Sequence, residues 1–354
     1  MLKKLLFVIA LSPLVLNASN RGDIDLSCSK KSLQKSLSQE TIDGHWSLIK
    51  TQSLPTGRHE CDFVEHKGKF YLLGGRGIKN VDIFDPKTNT WQKAGKTPFE
   101  IHHFQAVSYN NAIYIVGAMT GKYPLEKPLE NIWIYYPEKD LWVKDAGIPK
   151  NLRRGGAGTV VFKDKLYQIC GITLGHTSGT TNIFNSYDFK TGEWERLTAA
   201  PHIRDHFFAT IAKDKLYVLG GRNSSVHYKD NFNQFFLETE DAVDVYDFAT
   251  NKWHTMKTSL PQPTAAAGVV ATGEHIIYIG GEGDSPKAFS NTQCLDLATG
   301  KWSQLSKLNI GRHGCGAIFY DNKIYVAAGS DVRGGGNISS IEVFTIKDVG
   351  ENRK

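Results

Sequence analysis

Short apolar segments separated by polar turns recur along the chain between about residues 46 and 346. The turns are rich in Gly, Asn, Asp and Lys, as at residues 67–69 (KGK) and 321–323 (DNK). Short apolar runs bounded by such turns predict β-strands joined as hairpins. Within this region, windows of ten or more residues do not keep a helical period. The pattern therefore predicts an all-β protein.

Two markers repeat through this region in a fixed order. The first is an apolar strand that starts with Tyr and ends on small residues, as at 71–75 (YLLGG) and 217–221 (YVLGG). The second is a tryptophan beside a short apolar strand and after a polar turn, at intervals of about 50 residues: Trp46, Trp91, Trp142, Trp194, Trp253 and Trp302. A unit that cannot bury its own apolar faces stacks on copies of itself, so the repeat predicts one domain rather than two.

The two markers are out of phase, and this predicts how the repeat closes. The chain enters on the Trp46 strand and leaves after a strand at 341–346 that has no Trp partner. The N-terminal strand is therefore expected to complete the last of six four-stranded antiparallel blades, which leaves no long exposed edge. On these repeats the sequence resembles the kelch family, whose unit pairs Gly-Gly with a downstream Tyr or Phe and Trp. The resemblance implies a six-bladed kelch β-propeller over residues 45–347.

The flanking segments and the composition bear on location and partners. Residues 1–18 carry Lys3 and Lys4 before a short apolar run, which predicts a signal peptide and an exported protein, periplasmic or secreted. Residues 19–44 are predicted to be a polar linker and 348–354 a C-terminal tail. The apolar run is too short for a membrane span, and a net charge of +6 does not demand nucleic acid. Cys61 and Cys315 hold matching repeat positions, either as core residues or as a disulfide.

Charged residues gather where the first strand of each blade begins. Aligned by repeat, Arg58, Arg154, Arg204 and Arg312 share one frame, His59, His102, Asp205 and His313 the next, and Glu60, His103 and His206 the third. Long loops are expected on the same face, and the loop 222–241, rich in Phe, is expected to cover the mouth as a lid. Convergent polar residues beneath long loops mark the default binding site.

Three interpretations of this mouth stay open. Arg and His at blade openings can brace the blades by bonding backbone carbonyls. Several arginines in a concave mouth can instead clamp a carboxylate, which predicts a small-molecule or glycan ligand, an acidic sugar foremost. The predicted ligand-binding residues are Arg58, Arg76, His102, Arg153, Arg154, His176, Arg204, Arg222, Glu282, Arg312, His313 and Arg333. A metal held by His59, His102 and His313, with Glu60, His103, Asp205 or His206 completing the site, is the third interpretation; nearby arginines disfavour a cation, so no cofactor is predicted.

An enzyme would use the same mouth. Exported bacterial proteins similar to this one include the N-acetylneuraminate mutarotase group, and this resemblance implies sugar isomerisation of the mutarotase or epimerase type. Paired His and carboxylate groups move protons, and the candidate catalytic residues are His59, Glu60, His103, Asp205 and His206. A protein-interaction module is the further alternative, and it predicts exposed apolar patches on the mouth.

Overall fold

The computed structural model describes residues 42–347, which form six four-stranded antiparallel sheets and two short hairpins. The predicted signal peptide, almost all of the predicted linker and the C-terminal tail lie outside the described residues and stay predictions. The first strand is β1 (Gly44–Leu48). Short 3-10 helices lie at Pro137–Lys139, Lys150–Leu152 and Phe232–Leu237.

The six blades follow one another along the chain. Blade 1 contains β2 (Cys61–His66), β3 (Lys69–Gly74), β4 (Asn80–Asp85) and β5 (Thr90–Lys96). Blade 2 contains β6 (Gln105–Tyr109), β7 (Ala112–Val116), an inserted hairpin of β8 (Met119–Thr120) and β9 (Lys127–Pro128), then β10 (Asn131–Tyr136) and β11 (Leu141–Gly147). Blade 3 contains β12 (Gly158–Phe162), β13 (Lys165–Ile169), an inserted hairpin of β14 (Ile172–Leu174) and β15 (Ser178–Thr180), then β16 (Phe184–Asp188) and β17 (Trp194–Arg196).

The remaining three blades have the same strand order. Blade 4 contains β18 (Ala209–Ala212), β19 (Lys215–Val218), β20 (Asp244–Asp247) and β21 (Lys252–Thr255). Blade 5 contains β22 (Gly268–Ala271), β23 (His275–Ile279), β24 (Thr292–Asp296) and β25 (Lys301–Leu305). Blade 6 contains β26 (Ala317–Tyr320), β27 (Lys323–Ala327) and β28 (Ile341–Ile346). In each blade the first of these strands is the innermost.

The N-terminal strand closes the ring. β1 pairs antiparallel with β28, with Trp46 opposite Phe344, and so supplies the fourth strand of blade 6. The Trp46 indole N–H also donates to Thr292 Oγ1 of blade 5 at 2.9 Å. The innermost strands contact one another in a circle that ends with β26 against β2. The predicted six-bladed all-β propeller is therefore confirmed, including its mode of closure.

The core lies between the faces of neighbouring blades. Small residues at the ends of strands allow the blades to pack closely against each other. Phe70 and Phe84 of blade 1 form one buried cluster with Tyr325 of blade 6. Gly74 ends β3 with a φ of 67°, and a Cβ there would lie 2.5 Å from the Ile101 carbonyl oxygen of the next blade. A side chain would be strained in this conformation and would also clash, so glycine at this position allows the backbones of the two blades to approach closely. The Cys61 and Cys315 thiols are free and buried.

No helix within residues 42–347 has the length and apolar character needed to cross a bilayer.

Candidate functional site at the axial mouth

A ring of main-chain hydrogen bonds joins the six blades at the propeller axis. One residue from each blade contributes, in the third frame of the strand openings; we call this set the axial ring: Glu60, His103, Gly156, His206, Ala266 and Gly314. Each amide from His103 onward donates to the preceding member's carbonyl, and the Cys61 amide closes the ring onto Gly314, at 2.6–3.1 Å. All six members have positive φ. Such backbone is costly for residues other than Gly, and strain of this kind concentrates at functional sites.

The four arginines of the first frame point into their own blades. Arg58, Arg154, Arg204 and Arg312 are fully buried. Arg204, for example, donates to the Gly220 and Ala242 carbonyls at 2.9 and 3.1 Å and to the Asp244 carboxylate at 2.8 Å. Arg154 donates to the carbonyls of Leu152, Gln168, Cys170 and Ile183. Their geometry does not support the predicted anion clamp and corresponds to the bracing interpretation, because the side chains are buried and most of their donors are bonded within the blade.

Sequence reasoning missed the acidic partners of these arginines. Asp82 on β4, Asp244 on β20 and Glu342 on β28 are fully buried and pair with Arg58, Arg204 and Arg312 respectively. A recurring motif carries the signal: VDIF at 81–84, VDVY at 243–246 and IEVF at 341–344 each place one acidic residue inside an apolar strand. A buried carboxylate needs a charged partner, so this motif could have identified the arginines as structural.

Three histidines converge where the axial ring meets the mouth. His103 and His206 are members of the ring, and His176 reaches them from the turn between β14 and β15. Their ring centroids are 4.7 Å (His103–His206), 4.7 Å (His176–His206) and 5.2 Å (His103–His176) apart. All three are buried. The structure therefore brings together two predicted catalytic residues and one predicted ligand-binding residue.

Each of these histidines is oriented through its Nδ1 atom. His206 Nδ1–H donates to Asp205 at 2.5 Å, and His176 Nδ1–H donates to Glu126 at 3.2 Å. His103 Nδ1 lies 2.5 Å from His102 Nδ1, while His102 Nε2 lies 3.3 Å from the Gly121 carbonyl. Because His102 must use its Nε2–H for that carbonyl, its Nδ1 accepts from His103. These contacts fix the tautomer, so in the neutral form of each imidazole the Nε2 atom carries the lone pair.

Carboxylates surround the histidines and are ionised. Burial alone would raise the pKa of Asp205, but its hydrogen bond and charge interaction with His206, with Arg222 and Ser224 contributing, lower it to about 2. Burial is likewise outweighed at Glu126, where His176 and Arg76 lower the pKa to about 2. For Glu60, burial is offset by His313, His59 and His206, and the net shift of the pKa is downward. Burial, the largest effect, lowers the pKa of His176 to about 4 and that of His103 well below the ordinary histidine value.

The loop arginines at the mouth are engaged by acidic partners or by the lid. Arg76 pairs with Glu126 at 2.7 Å, and Arg222 pairs with Glu282 at 2.5 Å. Burial raises the pKa of Glu282, but His313 and Arg222 lower it to about 2 overall. Arg333 donates to the Asp284 carbonyl at 3.2 Å. Arg153 instead pairs with Glu130 at 2.7 Å and donates to the Ile148 carbonyl, so its contacts lie outside the histidine cluster.

The loop after β19 covers the mouth, as predicted. Phe235, in its 3-10 helix, is fully buried and lies 5.7 Å from the His176 ring. The Arg222 guanidinium lies 4.8 Å from the Phe235 ring and 4.9 Å from the Phe236 ring. Tyr123, from the β8–β9 hairpin, donates its hydroxyl to Asn233 at 2.9 Å. The lid therefore seals the histidines from the mouth side through contacts with two neighbouring loops.

Spaces of very different size lie along the axis. The axial ring and adjoining residues line a neck cavity of about 20 Å³, roughly the space that one water molecule needs. Further along the inner strands a wider channel of about 400 Å³ is lined by all six of them. Asp62 lies between the two; its carboxylate accepts the Phe63 and Ala106 amides, and burial raises its pKa to about 7. The closed neck therefore fits a water molecule or a single ion.

None of the three histidines predicted to hold a metal, His59, His102 and His313, belongs to the cluster of His103, His176 and His206. His59 Nδ1–H donates to Asn337 Oδ1 at 3.0 Å, and His313 Nε2 lies 2.9 Å from the Val332 carbonyl oxygen. His102 is engaged by His103 and Gly121, as described above. Among residues 42–347, the groups with metal-ligand proximity are His103, His176 and His206, and Glu60, Glu282 and His313. The sequence alignment missed His176 in the first group because it comes from an inserted hairpin that the repeat does not align.

Comparison with known sequences agrees with this architecture. Residues 149–329, just over half of the chain, match the family described as the KLHDC2/KLHL20/DRC7 Kelch-repeats domain, and residues 311–348 match the Kelch motif. The chain belongs to the kelch-repeat family. This kelch propeller is 28% identical to Kelch-like protein terF of Aspergillus terreus, over 88% of this chain and 71% of that protein. It is 27% identical to Kelch-like protein 40 of Xenopus tropicalis, over 65% of this chain but 36% of that protein.

The solved structure of YjhT is similar in fold. It superimposes with a TM-score of 0.69, covering 84% of this kelch propeller and 98% of YjhT, at 18% sequence identity. A likeness at this identity concerns the propeller architecture alone. The chemistry of the mouth has to be argued from its own residues.

Proposed function

We propose that this kelch propeller binds a small hydroxylated molecule at the axial mouth and moves a proton on it, in the manner of a sugar mutarotase or epimerase. The observation that carries this proposal is the pairing of acid and base groups around the neck. His206 is held by ionised Asp205, and His103 Nε2 lies 3.2 Å from the Glu60 carboxylate. A positioned imidazole next to an ionised carboxylate is the usual equipment for general acid–base catalysis. Entry of a sugar requires the lid to open, because the closed neck holds only about 20 Å³.

The charges favour a neutral ligand over the acidic sugar expected from the sequence. Four buried carboxylates belong to the mouth: Glu60, Glu126, Asp205 and Glu282. Three arginines lie there: Arg76 and Arg222 are paired with Glu126 and Glu282, and Arg333 donates to the Asp284 carbonyl. With His103 and His176 neutral, the carboxylates outnumber the cations, so an added anion would meet repulsion. Hydroxyl groups would instead donate to the carboxylates and accept from the imidazoles.

Replacing His206 or Glu60 by glutamine is expected to slow anomer exchange by about 100-fold or more, because each change removes a proton-transferring group. Exchange rates would be measured by NMR with free neutral sugars, such as galactose and N-acetylglucosamine, and acidic ones, such as glucuronate and N-acetylneuraminate. His254→Gln, on an exposed position of β21, is the matched control. Exchange at the buffer rate with every sugar, or full activity in both glutamine variants, would refute the proposal.

A second candidate function is protein binding at the outer surface of the lid. Large apolar side chains are exposed on the lid and the loops around it: Tyr123, Leu125, Leu174, Tyr228, Phe232 and Leu237. Tyr123 and Phe232 come from different loops and have ring centroids 6.3 Å apart. Exposed apolar patches commonly mark interaction surfaces. Curated relatives named as kelch-like proteins are longer than this chain, so their partners do not transfer to it directly.

Under this second candidate, Leu125→Asp and Tyr228→Asp would abolish partner binding without unfolding the propeller. The two side chains are 60% and 58% exposed, so a charge there costs little stability. Affinity capture from an extract of the source, followed by a titration with the purified partner, provides the measurement. Lys213→Asp, at an exposed position in the turn between β18 and β19, is the control. A partner that binds the Asp variants as tightly as the parent would rule out the lid surface.

A further inference from the structure

We propose that His103, His176 and His206 form a three-histidine site for a divalent transition-metal ion, with zinc(II) and cobalt(II) as the ions to test first. One potential ligand atom from each of these residues lies within 4.8 Å of the others. Tetrahedral coordination with bonds of about 2.0–2.1 Å would bring the nitrogens to within roughly 3.3–3.4 Å of each other. Small rotations of the imidazoles towards a common point would suffice.

The unused ring nitrogens are the second observation. His103 Nε2 and His206 Nε2 are buried without a hydrogen-bond partner. Leaving a buried polar atom unpaired is costly, and such an atom in a folded protein calls for an explanation. His103 Nε2 also lies 3.2 Å from a Glu60 oxygen without forming an aligned hydrogen bond. A metal ion coordinated by these nitrogens would satisfy both of them.

The surroundings of the three histidines match those of metal ligands. In metal sites the nitrogen that does not bind the ion usually donates to a carboxylate or carbonyl, which fixes the tautomer. Asp205 provides this contact for His206, and Glu126 provides it for His176. His102 orients His103 and is itself anchored on the Gly121 carbonyl. The arrangement leaves the Nε2 atoms of the three histidines as the nitrogens that would hold an ion.

The chemistry of the donors selects the class of ion. Neutral imidazoles prefer zinc, copper, nickel or iron, whereas calcium and magnesium prefer oxygen ligands. The neighbouring group of Glu60, Glu282 and His313 fits less well. Glu282 is already paired with Arg222 and accepts the Gly334 amide, and His313 Nε2 contacts the Val332 carbonyl. The three-histidine group has no arginine bound to its ligands.

The metal site shares residues with the proposed function but does not require it. An imidazole that coordinates a metal through Nε2 no longer exchanges a proton there. Metal binding and anomer exchange are therefore measured separately, on chelator-treated and on metal-loaded protein. Exchange without metal binding would sustain the proposed function and overturn the metal site; metal binding without exchange would do the reverse.

The test is titration of the untagged, chelator-treated full-length protein with zinc(II) and cobalt(II) by calorimetry, with the visible spectrum of the cobalt form as a second readout. We expect one ion per chain and a cobalt spectrum typical of nitrogen ligation. His176→Gln should weaken binding at least 10-fold, and Glu126→Gln should weaken it about 10–100-fold because it removes the contact that orients His176. His176 is buried against Glu126, so the melting temperature of each metal-free variant is measured alongside, and affinities are compared only between proteins that are folded at the temperature of the titration.

His254→Gln is the matched control, since it removes one exposed histidine and leaves the cluster intact. The proposal is overturned if the parent binds no ion more tightly than the His176→Gln protein does. It is also overturned if the control loses as much affinity as the cluster variants, because binding would then be distributed over surface histidines.

Discussion

Replacing Arg58 by alanine is expected to lower the free energy of unfolding by about 3–5 kcal/mol, because it leaves a buried carboxylate without its charged partner. Arg58 and Asp82 are both fully buried and paired. Asp82 would keep a single hydrogen bond, from the Thr56 amide at 3.0 Å. The Leu72 and Gly74 carbonyls, which accept from Arg58, would also lose that donor. Chemical denaturation measures the change.

Arg153→Ala is the control for this prediction. Its side chain is 28% exposed and pairs with a largely exposed Glu130, and exposed pairs contribute about 0–1 kcal/mol. Its unfolding free energy should therefore remain close to that of the parent. If Arg58→Ala were as stable as Arg153→Ala and instead lost affinity for anions, the bracing role would be wrong and the anion clamp predicted from the sequence would be restored.

Trp46→Ala is expected to cost about 3–5 kcal/mol, the usual range for truncating a buried Trp. Trp46 is buried on β1, packs against Phe344 at a centroid distance of 5.4 Å and donates to Thr292 of the preceding blade. The change removes core volume where the first strand of the chain joins the last blade. Loss of this closure exposes the edge of β28, so increased aggregation on heating should accompany the lower stability.

Leu48→Ala is the control on the same strand, because it removes an exposed side chain in place of a buried one. Leu48 is 49% exposed, and exposed substitutions usually change stability by no more than about 0.5 kcal/mol. Trp46→Phe, which keeps much of the apolar volume, should fall between the two alanine variants. Denaturation curves that coincide for Trp46→Ala and Leu48→Ala would show that β1 contributes little to closure.

The fold could be predicted because its information is periodic. Tyr-to-Gly strands and tryptophans recur at one spacing, and their phase offset specified that the Trp46 strand completes the last blade. The strand openings were aligned correctly as well: Glu60, His103 and His206, assigned to one frame, all belong to the axial ring. Periodic residues experience the same environment in every blade, so one alignment describes them all.

The site could be predicted only in part because its decisive residues are not periodic. His176 and Glu126 come from inserted hairpins in blades 3 and 2, and the repeat does not give their positions. The four arginines of the first frame were assigned to an anion clamp for the opposite reason, which is that they are periodic. They recur because they stabilise each blade, and their acidic partners Asp82, Asp244 and Glu342 each lie on the third strand after the arginine. Recurrence alone does not distinguish a residue that stabilises the repeat from one that binds a ligand.

The axial ring separates the scaffold from the side chains that it presents. Its hydrogen bonds use main-chain atoms alone, so the same backbone arrangement can carry different side chains at its six positions. Three of the residues are Glu60, His103 and His206, and the other three are Gly156, Ala266 and Gly314. The small residues leave space for their neighbours: a Cβ on Gly314 would lie 2.8 Å from the Glu60 amide nitrogen, and one on Gly156 would lie 3.3 Å from His206 Nδ1. A propeller built in this way can acquire new chemistry by substitution of a residue in the axial ring that has room for a side chain, while its architecture stays the same.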